Sequence, residues 1–311
     1  MSLWKYLSVS LALLLGLSGG GCSGNSDIDW PGSRGTGADA DSTTDDSDAS
    51  FLGANTHDDG GSSSDESCRR VDVLIALDAS QSMTEELEAA RQTVFPAFAK
   101  RLVSISKGLD DFRVATIDAC PTPANFHTRG AAGECNFDGG NPWIESSSRD
   151  IEGEFACVGD IYVGDAECSG DNDDEQPASA AATALEKPFL SGANKGFLRD
   201  DALLIIVAVT DEDEQPTNSA NTATEIYKRI VAIKGGEVRR MVFVGIGAEH
   251  DCTGVGGSAG AATKLKAVTD LFAARQRGVW WDLCNGHLED GVEEASAVIE
   301  SACDELPDII E

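Results

Sequence analysis

The sequence predicts an α/β fold, a doubly wound and mainly parallel sheet flanked by helices and interrupted by a disulfide-rich insertion. Three observations predict it. Apolar runs of strand length recur along the chain, each gives way to a segment with helical apolar spacing, and two strand ends carry hydroxyl and carboxylate residues. Such a sheet holds its ligands beyond the carboxyl ends of its strands.

The elements follow in order. VDVLIAL (71–77) is a continuous apolar run suited to a strand covered on both faces. In EELEAARQTVFPAFAKRLVSI the residues Leu87, Val94, Phe98 and Leu102 fall near helical spacing, and Pro96 predicts a kink. DFRVATID (111–118) reads as a second strand. Residues 119–172 hold four cysteines, many Gly and Asp, and short strand-like pieces such as PWIE and DIYV, so they read as a stapled insertion. Alternation resumes with a helix near 175–187, strand ALLIIVAV (202–209), helix TATEIYKRIVAI, strand RMVFVGIG, helix AATKLKAVTDLFAAR, strand VWWDL and helix VEEASAVIESACDEL.

Composition bounds the function. The 311 residues are 41% hydrophobic, sufficient for a real core. Lys+Arg 23 against Asp+Glu 54 gives a formal charge of -31, which argues against nucleic acid, because phosphates need a basic surface. Cations and basic or cation-bridged partners are favoured instead.

The first residues, MSLWKYLSVSLALLLGLSGGGC, carry Lys5, an apolar stretch from Leu7 to Leu17 and then small residues. They predict a signal peptide over 1–21, since the apolar run is too short to span a membrane. Residues 22–67, rich in Gly, Ser and Asp, predict a disordered acidic tether. Its roughly 45 residues would hold the following domain, 68–305, on the order of 40 Å from the tether's start. Residues 306–311 form a tail.

The stretch ending at Cys22 resembles a bacterial lipobox, although Gly19 stands where leucine is usual. The resemblance implies a lipidated Cys22 as the mature N-terminus and a membrane anchor in the cell envelope. A plain cleaved signal with an unmodified Cys22 is the alternative. Ser23, by resemblance to Gram-negative lipoproteins, implies delivery to the outer membrane, on its periplasmic face or at the cell surface.

Nine cysteines less Cys22 leave eight: Cys68, Cys120, Cys135, Cys157, Cys168, Cys252, Cys284 and Cys303. An even set in an exported chain predicts up to four disulfides. Cys68 is expected to meet Cys303, since terminal elements of such folds lie close together; closing that loop would stabilise by roughly 5 kcal/mol. Proximity in sequence pairs Cys120 with Cys135, Cys157 with Cys168 and Cys252 with Cys284.

Two strand ends carry the chemistry. One is DASQSM (78–83), after the first strand; the other is TDEDEQ (210–215), after ALLIIVAV. Hydroxyls and carboxylates on one sheet edge suit a hard cation with oxygen ligands. Ser82-Met83-Thr84-Glu85 also fits a helix capping box, which leaves Asp78 and Ser80 without a role. GGSAG around Ser258 matches a nucleophile motif but lies about ten residues beyond its strand, where that motif needs a tight turn.

DASQS after one strand and TDEDE after a later one resemble the von Willebrand factor A domain, whose metal-ion-dependent adhesion site uses Asp-x-Ser-x-Ser with a distal Thr and Asp. The resemblance covers about residues 69–305 and implies that Rossmann-like fold. It implies a divalent cation, Mg²⁺ first with Ca²⁺ or Mn²⁺ as alternatives. Ser80 and Ser82 would ligate it directly, Asp78 and Asp211 through bound waters. Glu175, within DNDDEQP, occupies the family's threonine position and adds a negative charge. The implied function is cation-dependent binding of an extracytoplasmic protein or glycan, an adhesion or interaction module without enzymatic turnover. Two other readings are a structural envelope protein whose metal only stabilises the fold, and a metal-dependent hydrolase, for which no general base is positioned.

Overall fold

The computed structural model describes residues 70–80, 82–89, 91, 94–104, 111–120, 124–130, 132–160, 175–214, 221–254 and 257–306. All lie within one compact unit, Gly60–Glu311. The signal peptide, Cys22, the tether, Cys68, Cys168 and most of DIYV fall outside the described residues.

The elements run β1 (Arg70–Leu77), α1 (Thr84–Ala89), α2 (Phe95–Ser104), β2 (Asp111–Asp118), β3 (Arg129–Gly130), β4 (Gly133–Glu134), β5 (Ile144–Glu145), α3 (Ile151–Gly159), α4 (Pro177–Ala184), β6 (Leu203–Val209), α5 (Ala223–Ile233), β7 (Met241–Gly247), β8 (Cys252–Gly254), β9 (Gly257–Ala259), α6 (Thr263–Ala273), β10 (Gly278–Asp282) and α7 (Leu288–Asp304). Six strands form the main sheet in the order β10-β7-β6-β1-β2-β5, and β5 alone runs antiparallel to its neighbour. Counting these six in chain order gives 6-5-4-1-2-3, the doubly wound arrangement. The α/β class and the mainly parallel sheet are as the alternating pattern predicts.

Period-two alternation sorts β1 into two cores. Val71, Val73, Ile75 and Leu77 face one layer with Leu87 of α1, Phe98 and Leu102 of α2, Phe155 of α3 and Ile299 of α7. Leu74 and Ala76 face the other, with the small residues of α4, Ile226 and Ile230 of α5, and Leu265 and Phe272 of α6. Helix α4, PASAAATA, is buried at every position but Thr183, because alanines let a helix lie close to the strands.

Of three local expectations, the disulfide pairing within the insertion is the one corrected. Pro96 is the second residue of α2, and the described residues between α1 and α2, Arg91 and Val94, are in wider π-helical turns, the irregularity expected where proline disturbs a helix. The 119–172 insertion contributes the edge strand β5 and the helix α3, whose Phe155 stacks on Phe95 at 6.4 Å between ring centroids. Cys135 pairs with Cys157, which overturns both the Cys120–Cys135 and the Cys157–Cys168 pairings. The reason is that the β3–β4 hairpin folds onto α3, bringing the backbone at Gly130 against Cys157. Cys252 is bonded to Cys284, and Cys120 and Cys303 are both disulfide-bonded.

Candidate metal centre

The chain leaves β1 toward α1 on one face of the sheet and β6 toward α5 on the other, so the ends of these two adjacent strands form the crevice of the doubly wound fold. Register places Leu77 beside Val209, and Asp78 then donates its backbone N–H to the Val209 carbonyl at 3.0 Å. DASQSM and TDEDEQ therefore meet.

Hydrogen bonds knit them together. Asp78 Oδ1 accepts from the Ser80 backbone N–H at 2.8 Å, and Oδ2 accepts from Thr210 Oγ1 at 2.7 Å. Ser80 Oγ and Ser82 Oγ lie 2.8 Å apart, and Ser82 Oγ donates to Asp211 Oδ1 at 3.3 Å. Asp78, Thr210 and Asp211 are buried, Ser80 is half-buried and Ser82 exposed, so the centre opens toward solvent at its hydroxyls. The Asp211 carboxyl is pushed up to about 7, first by burial and then by the charge of Asp78, with Glu86 and Glu212 adding to it while the Ser82 bond works the other way.

The donors are carboxylates and hydroxyls, the oxygen set that hard divalent ions take. Burial and mutual repulsion of the carboxylates are the conditions a cation relieves, so the residues fit such an ion. Among the described residues no three His, Cys, Asp or Glu side chains are arranged to hold a metal. An ion here would therefore depend on Ser80 and Ser82.

Glu175 is buried and stands one strand over: Gln176 donates its backbone N–H to Ala119, just beyond β2, at 2.8 Å, and Ala119 donates to Leu77 at 2.8 Å. Of the acidic run, Asp211 alone is hydrogen-bonded to a DASQSM side chain among the described contacts. Asp213 Oδ1 accepts from the backbone N–H groups of Lys264 and Leu265 in the first turn of α6. Glu214 accepts from those of Ala178 and Ser179 at the start of α4. Two residues of the centre escaped sequence reasoning. Thr210 holds Asp78, and its signal was its place directly after a buried strand; Glu86, buried in α1, shares the field of Asp78 and Asp211. Ser258 lies in β9, its hydroxyl 3.4 Å from that of Thr253, in a hairpin and not in a strand-to-helix turn.

No family model matches the chain, and no curated protein matches it. Among solved structures it is similar to proximal thread matrix protein 1 from the mussel byssus. In crystal form 2 of that protein the identity is 12% over 75% of this chain and 49% of that chain, with a TM-score of 0.43. A further structure of the same protein gives 12% over 76% and 47%, with a TM-score of 0.41. Manganese-loaded Plasmodium vivax TRAP protein gives 14% over 76% and 74%, with a TM-score of 0.35. The chain thus spans about half the length of the mussel protein.

Proposed function

We propose that the protein binds a divalent cation at the switch point and uses the ion to capture an extracytoplasmic protein or glycan, without chemical turnover. The observation that carries this reading is the convergence of Asp78, Ser80, Ser82 and Asp211, from two strand ends far apart in sequence, into one chain of oxygens. Ser80 and Ser82 would hold the ion, Asp78 and Asp211 would orient its waters, and Glu175 would add charge from the neighbouring strand end. A carboxylate of the partner would complete the ion's shell at the open, hydroxyl side. Mg²⁺ is the first expectation, before Ca²⁺ and Mn²⁺. The signal-like N-terminus and Cys22 support an exported, lipid-anchored setting in the cell envelope.

Calorimetric titration with Mg²⁺, Ca²⁺ and Mn²⁺ tests the reading, with Asp78→Ala beside the wild type. The variant is essential because a surface of formal charge -31 gathers cations diffusely. One saturable site, lost in the variant, is expected, followed by partner capture from envelope extract that chelation abolishes. Indistinguishable titrations would make DASQSM a capping turn and turn the centre into a purely structural feature.

A further inference from the structure

Glu86 needs a physical account. It lies in α1, 2% exposed, and among the described residues no other residue donates to either carboxylate oxygen. A buried carboxylate to which no other residue donates is costly and calls for a compensating group. It lines one cavity with Leu77 and Val209, the last residues of β1 and β6, Ile246 near the end of β7, and Met83 and Leu87.

The β8–β9 hairpin keeps it dry. Gly257 has a φ of +105° and approaches so closely that a Cβ there would stand 1.9 Å from Glu86 Oε1. The same hairpin is tied to the turn before α7 by Cys252–Cys284, and Gly260 donates its N–H to the Asp211 carbonyl at 2.7 Å. Burial pushes the Glu86 carboxyl up, its own backbone N–H works the other way, Glu85 and Asp78 add to the rise, and Glu86 in turn raises Asp211.

We propose that Glu86 is a positioning residue of the cation centre, a further carboxylate beside Asp78, Asp211 and Glu175 that supplies negative charge to it. This rests on the reading that an ion binds there. Without the ion the charge is a cost to folding; with it the cost is offset and the ion is held more tightly. The two effects have opposite signs, which separates this role from a packing role.

The experiment uses the full chain and the metals alone as probes. Glu86→Gln keeps the shape and removes the charge, and Glu85→Gln removes the same charge from the exposed neighbour. Glu86→Gln is expected to lose about ten- to a hundredfold in metal affinity, the range of groups that orient ligands from outside the ion's shell. It should melt higher than wild type in chelator, so that the rise in melting temperature on adding metal shrinks. Glu85→Gln is expected to stay within about threefold, since exposed charge is screened. Glu86→Asp keeps the charge at shorter reach and should fall between Glu86→Gln and wild type, which gives a second reading if Glu86→Gln folds poorly. If Asp78→Ala loses the site while Glu86→Gln binds no worse than Glu85→Gln, this inference is overturned and the cation centre stands. If Asp78→Ala binds like wild type, both fall.

Discussion

Thr210 sets the position of Asp78. Its side chain is fully buried, its hydroxyl donates to Asp78 Oδ2, and it accepts the Glu212 backbone N–H at 3.1 Å, so the oxygen is committed on both sides. Thr210→Val keeps the volume and leaves a buried carboxylate oxygen without its donor, a loss of about 1 to 3 kcal/mol. In chelator the melting temperature should fall by roughly 3 to 10 °C, and Thr210→Ser should recover most of it. Unchanged melting of the valine variant would show that Thr210 does not fix Asp78. The sequence made Asp78, Ser80, Ser82 and Asp211 legible because they follow apolar strands at short spacing. Glu86 was not legible. Glu85 and Glu86 are adjacent and chemically alike, and which of them is buried depends on a hairpin far along the chain.

At the scale of elements, TDEDE divides its acids among three structures. Asp211 joins the centre, Asp213 caps α6, and Glu214 offers one carboxylate oxygen to each of two N–H groups that open α4, Ala178 at 2.9 Å and Ser179 at 2.7 Å. Helix starts carry unpaired N–H groups, and Pro177 removes one of the donors while Glu214 satisfies two more. Burial nevertheless pushes the Glu214 carboxyl up, against those bonds and the charge of Lys264. Glu214→Ala would leave two donors buried and unmatched, a cost of about 2 to 4 kcal/mol. Urea unfolding should show a lower midpoint, and hydrogen exchange should lose protection first at Ala178 and Ser179. Intact protection there would mean that α4 is held by its packing alone. The long strands and helices were legible because apolar period and burial agree in them. The two-residue β5 was legible within PWIE, but the helix α3 was not, since the Gly- and Asp-rich composition around it carries little periodicity. Nearness in sequence pairs Cys252 with Cys284 as found, but it mispairs Cys135, whose neighbour in space is set by the hairpin that lays it on α3.

The whole molecule has two charged poles joined by apolar strands. At one end of β1 stands Asp78; at the other Asp72 accepts from Arg199 Nε at 2.8 Å and from its backbone N–H at 2.7 Å, while Arg199 also pairs with Asp111. Six residues of strand put them about 20 Å apart. Lys234 completes the second pole by donating to the Arg199 carbonyl, and burial pushes its amine down to about 8, against the pull of Asp72. Below pH 8 the folded and unfolded chains both hold this proton, and the fold bears the full cost of a buried ammonium. Between about 8 and the ordinary lysine value of 10.5 the folded amine releases it first. The unfolded chain then binds more protons, so this group makes stability rise with pH across that window, by on the order of 2 kcal/mol. Lys234→Met has no such titration. Urea midpoints of the two proteins, taken in chelator from about pH 7.5 to 10, should therefore move relative to each other, the wild type gaining on the variant. A constant interval would mean that the amine is solvated. Repeating the series with saturating metal separates the poles: at this distance the gain from the ion and the change at Lys234 should add to within about 0.5 kcal/mol. A larger deviation would show that the sheet transmits strain between its two ends.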